Sequence, residues 1–249
     1  MRVTRLSWAG VQLVQNDVTL LIDPLENVVP LAGFLGNPLT DLVSIQPPLG
    51  QVYALITHIH PDHYDAQTLR RLLGPSGQVY GPAPVVHKAQ EDGLSASTVD
   101  LGKTFTLGPF EVTAMPAVDC FGDDQISWVV QSGDAAVFHG GDTIWHGYWW
   151  RIAREYGPFD LAFLPINGVI VVHPDFDPSG LPATLTPMQA AIAARLLRAS
   201  LLCPMHYGTF NNPPSYAEFP DPVSALRTAA VEEGVSVRVL QPEEFIGLS

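Results

Sequence analysis

A short apolar run, Val52-Tyr53-Ala54-Leu55-Ile56, passes without a spacer into Thr57-His58-Ile59-His60-Pro61-Asp62-His63. The run is rich in β-branched and aromatic residues and reads as a buried strand. Three histidines and an aspartate within six positions then stand where a sheet edge builds its sites. In extended backbone His58 and His60 project to the same side, because side chains alternate with period two. Pro61 breaks the extension, so Asp62 and His63 turn towards a second point. Neutral imidazole and carboxylate together suit zinc, manganese or iron.

The remaining candidates also follow apolar runs. Met115-Pro116-Ala117-Val118 ends in Asp119, with Cys120, Asp123 and Asp124 close behind as alternative donors. Ala135 to His139 runs through Gly140-Gly141 to Asp142, where paired glycines let backbone approach a site closely. Leu201-Leu202-Cys203 leads through Pro204-Met205 to His206 and Tyr207. His146 falls one turn into a helix expected over Trp145 to Tyr156 and could line a pocket. Asn167, His173 and Tyr207 are further substrate-facing candidates. His87, His139 and His173 have no second ligand type beside them and are expected outside any metal shell.

Around these points the chain alternates strands, hairpins and five helices. Val3–Leu6, Val11–Gln15 and Val18–Ile22 open it, with a turn at Asn16-Asp17 and an end at Asp23-Pro24. Thr104–Leu107 with Phe110–Met115, and Gln125–Gln131 with Ala135–His139, read as further hairpins. Asp65 caps a helix that Gly74 ends; a second helix runs from Pro84 to near Gly93. Thr186-Pro187-Met188-Gln189 has the signals of a capping box with proline at the first helical position. Met188, Ile192 and Leu196 are expected to be the buried stripe of that helix. A helix over Pro222–Glu233, stopped by Gly234, and a strand over Val235–Leu240 complete the order. Residues 26–50 and 168–185 are rich in proline and glycine and read as long loops, the first a candidate lid.

His58-x-His60-x-Asp62-His63 after a hydrophobic strand resembles the signature of the metallo-β-lactamase superfamily. The wording from Leu55 to Asp65 is most similar to the branch containing L-ascorbate-6-phosphate lactonase. The resemblance spans nearly the whole chain and implies one domain, 1–249, folded as a four-layer αββα sandwich. It implies two divalent metal ions, zinc or manganese with iron possible. His58, His60 and Asp119 would hold one, and Asp62, His63 and His206 the other, with Asp142 bridging. The family usually has histidine where Asp119 stands, which would either shift metal preference or weaken the first site. A metal-activated hydroxide would cleave a lactone, ester or phosphoester, with Asp62 as the proton-handling residue. The redox di-iron branch resembles H-x-E, where this chain has His58-x-His60. The rival reading is a non-catalytic metal-binding or ligand-sensing protein.

Composition sets the outer limits. A net charge of −13, from 25 acidic and 12 basic residues, disfavours nucleic acid as partner. No apolar run has the length of a membrane span and no signal peptide opens the chain, so a cytoplasmic location is expected. Two cysteines are too few for a disulfide framework. A small-molecule substrate is the expected partner, and a homo-oligomer is compatible with the sequence.

Overall fold

A computed structural model describes residues 1–28 and 33–249. The first half contains β1 (Arg2–Arg5), β2 (Val11–Gln15), β3 (Val18–Ile22), β4 (Gln51–Leu55), α1 (Ala66–Leu73), β5 (Gln78–Gly81), α2 (Ala83–Glu91) and β6 (Ala96–Thr98). Next come β7 (Thr104–Leu107), β8 (Phe110–Pro116), β9 (Ile126–Ser132), β10 (Ala135–His139), α3 (Trp149–Tyr156) and β11 (Leu161–Pro165). The chain closes with β12 (Ile170–Val171), α4 (Pro187–Leu196), β13 (Leu201–Met205), β14 (Tyr216–Ala217), α5 (Pro222–Glu233) and β15 (Phe245–Gly247).

Two mixed sheets form. The first has the order β15-β1-β2-β3-β4-β5-β6 and the second β13-β11-β10-β9-β8-β7. From β3 to β6 the first sheet is parallel, as are β10, β11 and β13 in the second. Parallel strands are buried on both faces, and the side chains of β4 show why. Leu55 joins the core between the sheets, whereas Val52 and Ala54 pack with α1 and α2 residues such as Leu69, Leu72 and Val85. In the second sheet Val137, Leu161 and Cys203 face the first sheet. Phe138, Ala162 and Leu202 face α3, α4 and α5. The layers are therefore α, β, β, α, as expected.

Local signals explain several boundaries. Asp65 Oδ1 accepts from Gln67 and Thr68 N at the start of α1, and Asp65 Oδ2 accepts from Asn27 N at 2.9 Å. One carboxylate thus caps a helix and anchors the start of the 26–50 loop. That loop is further held by Ile45 N on Glu26, Val43 N on Ser7 and Leu39 N on Thr209 O. Pro30 and its neighbours in residues 29–32 lie outside the described residues. Thr186 and Gln189 form the reciprocal capping box of α4.

Three expectations are corrected. The helix expected from Trp145 begins at Trp149, because Ile144 N and Thr143 Oγ1 bond to Val118 instead of starting a helical turn. Val235–Leu240 keeps a strand-like alternation of burial but makes a single bridge, Val237 to Leu202; the last strand is β15 beside β1. The buried face of α4 is not Met188, Ile192 and Leu196. Met188 is 42% exposed, while Ala190, Ala191, Ala193 and Ala194 are all fully buried. This helix lies against α3, α5, β11 and β13 together, and only small side chains permit that approach.

Ala194→Leu should therefore overpack the helix and cost ~1–3 kcal/mol. Met188→Ala should change stability by less than about 0.5 kcal/mol. Urea unfolding of the two variants distinguishes the faces; the reverse ranking would restore the larger side chains as the buried stripe.

Candidate metal centre

The parallel strands β3 and β4 end side by side, and so do β10 and β13 with β11 between them. The polar residues that follow these ends converge. Asp23, which sequence reasoning treated only as the close of a hairpin, is the centre of the arrangement. It is fully buried, its Oδ1 accepts Thr57 N at 2.8 Å, and its Oδ2 accepts Thr57 Oγ1 at 2.7 Å. Oδ2 also accepts His63 Nδ1–H at 2.8 Å. With the Thr57 hydroxyl donating to Asp23, His58 Nδ1–H donates to Thr57 Oγ1 at 3.0 Å. Both Nδ1 atoms thus carry a proton, so that Nε2 is the lone pair whenever the ring is neutral, the usual effect of a carboxylate behind a metal-binding histidine.

Those Nε2 atoms face two sets of donors. One contains His58, His60, Asp119 and Asp142, the other Asp62, His63 and His206; within each set one donor atom per residue lies within 4.8 Å of the others. Asp142 Oδ2 is 3.5 Å from His58 Nε2, 3.9 Å from His63 Nε2 and 4.0 Å from His206 Nε2, so it stands between the sets. Asp62 Oδ2 is 3.4 Å from His206 Nε2 and 3.7 Å from His63 Nε2. These spacings exceed a hydrogen bond. They match the roughly 3.4 Å between two ligands that each sit about 2.1 Å from one tetrahedral ion. His58 Nε2, His63 Nε2, His206 Nε2 and Asp142 Oδ1 are buried without a hydrogen-bond partner. Each would cost ~1–3 kcal/mol if left so. A cation in each set would answer all four, and the donors fit such ions.

The first set is more open. His60, with a side chain 24% exposed, bonds through Nε2 to Asp123 at 3.0 Å and turns Nδ1 towards Asp119 Oδ1 at 3.9 Å. Asp119 Oδ2 accepts Phe121 N at 2.6 Å, which fixes the loop and leaves Oδ1 free to act. Charge is unevenly spread in the metal-free protein. Burial alone would lower the pKa of His63, but Asp62, Asp23 and Asp142 raise it to about 9. Burial would raise Asp62 and Asp142, yet nearby histidines hold both below the carboxylate range. Burial lowers His206.

Trp8 is a second residue missed in the sequence. Its Nε1–H donates to Asp62 Oδ2 at 3.0 Å and its ring lies 3.9 Å from the His206 ring, centre to centre. A contact spanning 54 residues has no local signature. The other candidates fall in different places. His173 lines the cleft over the two sets. Asn167 lies behind that wall, donating to Tyr216 Oη and accepting from Thr184 Oγ1. Tyr207 is in a separate depression beneath Arg5, and His146 stacks on Trp149 at 4.2 Å; neither lines the cleft. His146 misses it because the helix starts later than its sequence suggests. His139 is bonded to Ala9 O and His87 to Glu91, both outside the two sets.

Two sheets between helices, with histidine and aspartate sets at the shared strand ends, define a metallo-hydrolase class of architecture. Residues 19–207 match the beta-lactamase superfamily domain. The chain belongs to that superfamily, and within it to the UPF0173 metal-dependent hydrolases. A UPF0173 metal-dependent hydrolase of Rubrobacter xylanophilus is 31% identical over 209 residues, covering 78% of this chain and 77% of its own. Another, from Methanoculleus marisnigri, is 26% identical and covers 94% of this chain and 96% of its own. The solved structure of Igni18, a metallo hydrolase of Ignicoccus hospitalis, shares the fold. Its TM-score is 0.73 at 23% identity, with 98% of this chain and 97% of that one covered.

Two outcomes follow from the geometry. Asp23→Ala leaves the buried donors of Thr57 and His63 unpaired and should cost ~3 kcal/mol or more in urea unfolding. A loss under about 1 kcal/mol would show that the network does not depend on it. The second concerns His146, whose pKa burial lowers to about 4. Between about pH 6.5 and pH 4 only the unfolded chain takes up this proton, so stability present above pH 6.5 is lost as pH falls. Its share is on the order of 3 kcal/mol. His146→Leu should lose less stability than the parent between pH 7.5 and pH 4.5; parallel losses would clear His146 of this role.

Proposed function

We propose that the protein is a dinuclear metal-dependent hydrolase that cleaves a lactone, ester or phosphoester bond of a small molecule. His58, His60 and Asp119 would hold one divalent ion and Asp62, His63 and His206 the other, with Asp142 standing between the sets. The observation that carries this reading is the convergence of four buried, unpartnered donor atoms on two adjoining points. When bound, the ions supply Lewis acidity that polarises a substrate oxygen and brings the pKa of a water towards neutrality.

The chain's own groups do the rest. Asp23 and Thr57 keep His58 and His63 in the ligating tautomer. Asp62 lines the cleft as a carboxylate, and its place there is what suits it to accept the proton of the attacking water and return it to the leaving oxygen. The Trp8 N–H holds that carboxylate in place. The lactonase-like wording around Leu55–Asp65 supports ring-opening or ester chemistry over the redox reactions of the H-x-E branch.

Asp119 sets the metal preference. With it, each set offers two histidines and two carboxylates once Asp142 is counted, a harder donor field than three histidines. Two metal equivalents per chain are expected by elemental analysis, with activity in manganese equal to or above that in zinc. Chelation should abolish activity, and His60→Ala and His206→Ala should each do so while the circular dichroism spectrum is retained. Asp119→His should move the preference towards zinc. Full activity after thorough chelation would sink the proposal, and unaltered metal content in Asp119→Asn would remove Asp119 from the ligand set.

A further inference from the structure

We infer that the cleft selects an uncharged ester or lactone bearing an aryl or branched apolar group, and discriminates against phosphorylated and carboxylated substrates. The inference rests on the hydrolase reading above and narrows it. The cleft over the two donor sets has a volume of about 370 Å³, within the range of small-molecule sites.

Its charge decides against anions. Asp62, Asp119, Asp142 and Asp123 all line it, and among the described residues no lysine or arginine does. Four carboxylates match the four positive charges of two divalent ions. No net positive charge is then left to draw in a phosphate or carboxylate, and there is no guanidinium or ammonium to pair with it. A substrate anion would enter a concave site whose field does not favour it.

Its walls point the same way. Phe121 stacks on Phe176 with ring centres 5.1 Å apart, and both rings touch His173, at 5.8 and 5.2 Å. His173 meets Phe34 at 5.4 Å, and Phe34 meets Tyr216 at 6.0 Å. This arc of rings begins 6.5 Å from His60, beside the reacting centre. Several of the polar atoms within it are already engaged. Tyr216 Oη accepts from Asn167, Thr184 Oγ1 donates to Asn167, and His173 Nδ1 accepts Asp175 N. Phe121 is 37% and Phe176 54% exposed, an apolar edge that a ligand would cover. The same wall continues into a second depression of about 370 Å³ lined by Ile144, Leu181 and Pro182 together with Asp177 and Ser179. An apolar substituent thus has room to extend away from the carboxylates of the two donor sets.

The test uses the full-length, metal-replete protein and matched probes: γ-butyrolactone against γ-phenyl-γ-butyrolactone, and 4-nitrophenyl butyrate against 4-nitrophenyl phosphate. The phenyl lactone and the butyrate should each exceed their partner by roughly tenfold or more in kcat/KM. Phe121→Ala and Phe176→Ala should raise KM for the phenyl lactone about tenfold and shrink its advantage over the parent lactone. Preference for the phosphate, or a phenyl preference indifferent to both substitutions, would overturn the inference while leaving a hydrolase in place. If no probe is turned over, the hydrolase reading fails, and calorimetry decides the cleft separately. Binding of the phenyl lactam corresponding to the phenyl lactone, weakened by Phe176→Ala, supports the inference; tighter binding of phenyl phosphate overturns it.

Discussion

The buried carboxylate of Asp23 is the contact on which the site depends. It sits where β3 ends, joins the backbone and hydroxyl of Thr57 at the end of β4, and reaches across to His63. In one stroke it satisfies a strand-end amide, fixes the turn after Pro61 and orients two imidazoles. Removing the charge would leave several donors buried and unpaired, which is the costly side of hydrogen bonding. Its location follows from topology: parallel neighbours end at the same edge, so a short side chain on one can reach the loop of the next.

Around this contact the protein concentrates like-signed groups that repel each other. Asp62 is buried and Asp142 largely so beside His63, and each histidine gained is held in place from behind by hydroxyl, carboxylate or indole. Such a cluster is expensive to fold as bare charge and becomes reasonable once divalent ions are counted in. On the proposed reading the same neutralisation would leave the cleft above it without surplus positive charge, and its aromatic walls would finish the discrimination. Cation binding and choice of substrate would then be two results of one charge balance.

Much of this was legible because it is local. The His58–His63 cluster follows its strand directly, and Asp65, Thr186 and Gln189 mark helix starts through hydrogen bonds spanning two or three residues. The layered order followed from apolar runs and hairpins. What was hidden depends on packing between distant segments. The α4 stripe was misread because size was taken for burial, whereas a helix wedged between a sheet and other helices buries its smallest residues. The Val235–Leu240 stretch has strand periodicity but lacks a continuous partner. Trp8 carries no signal and Asp23 only that of a strand end, since their importance arises from residues 54 and 34 to 40 positions away.

The position of Trp8 has an optical consequence. Its indole N–H is bonded to the Asp62 carboxylate, proposed to handle the proton, and its face lies against His206. Indole emission responds to the charge and polarity of what it touches. The ring is therefore a reporter wired to the centre: a change in the protonation of Asp62 or the ligation of His206 will register as a shift or quench in fluorescence. The protein carries its own indicator dye, placed by the fold within hydrogen-bonding distance of the chemistry.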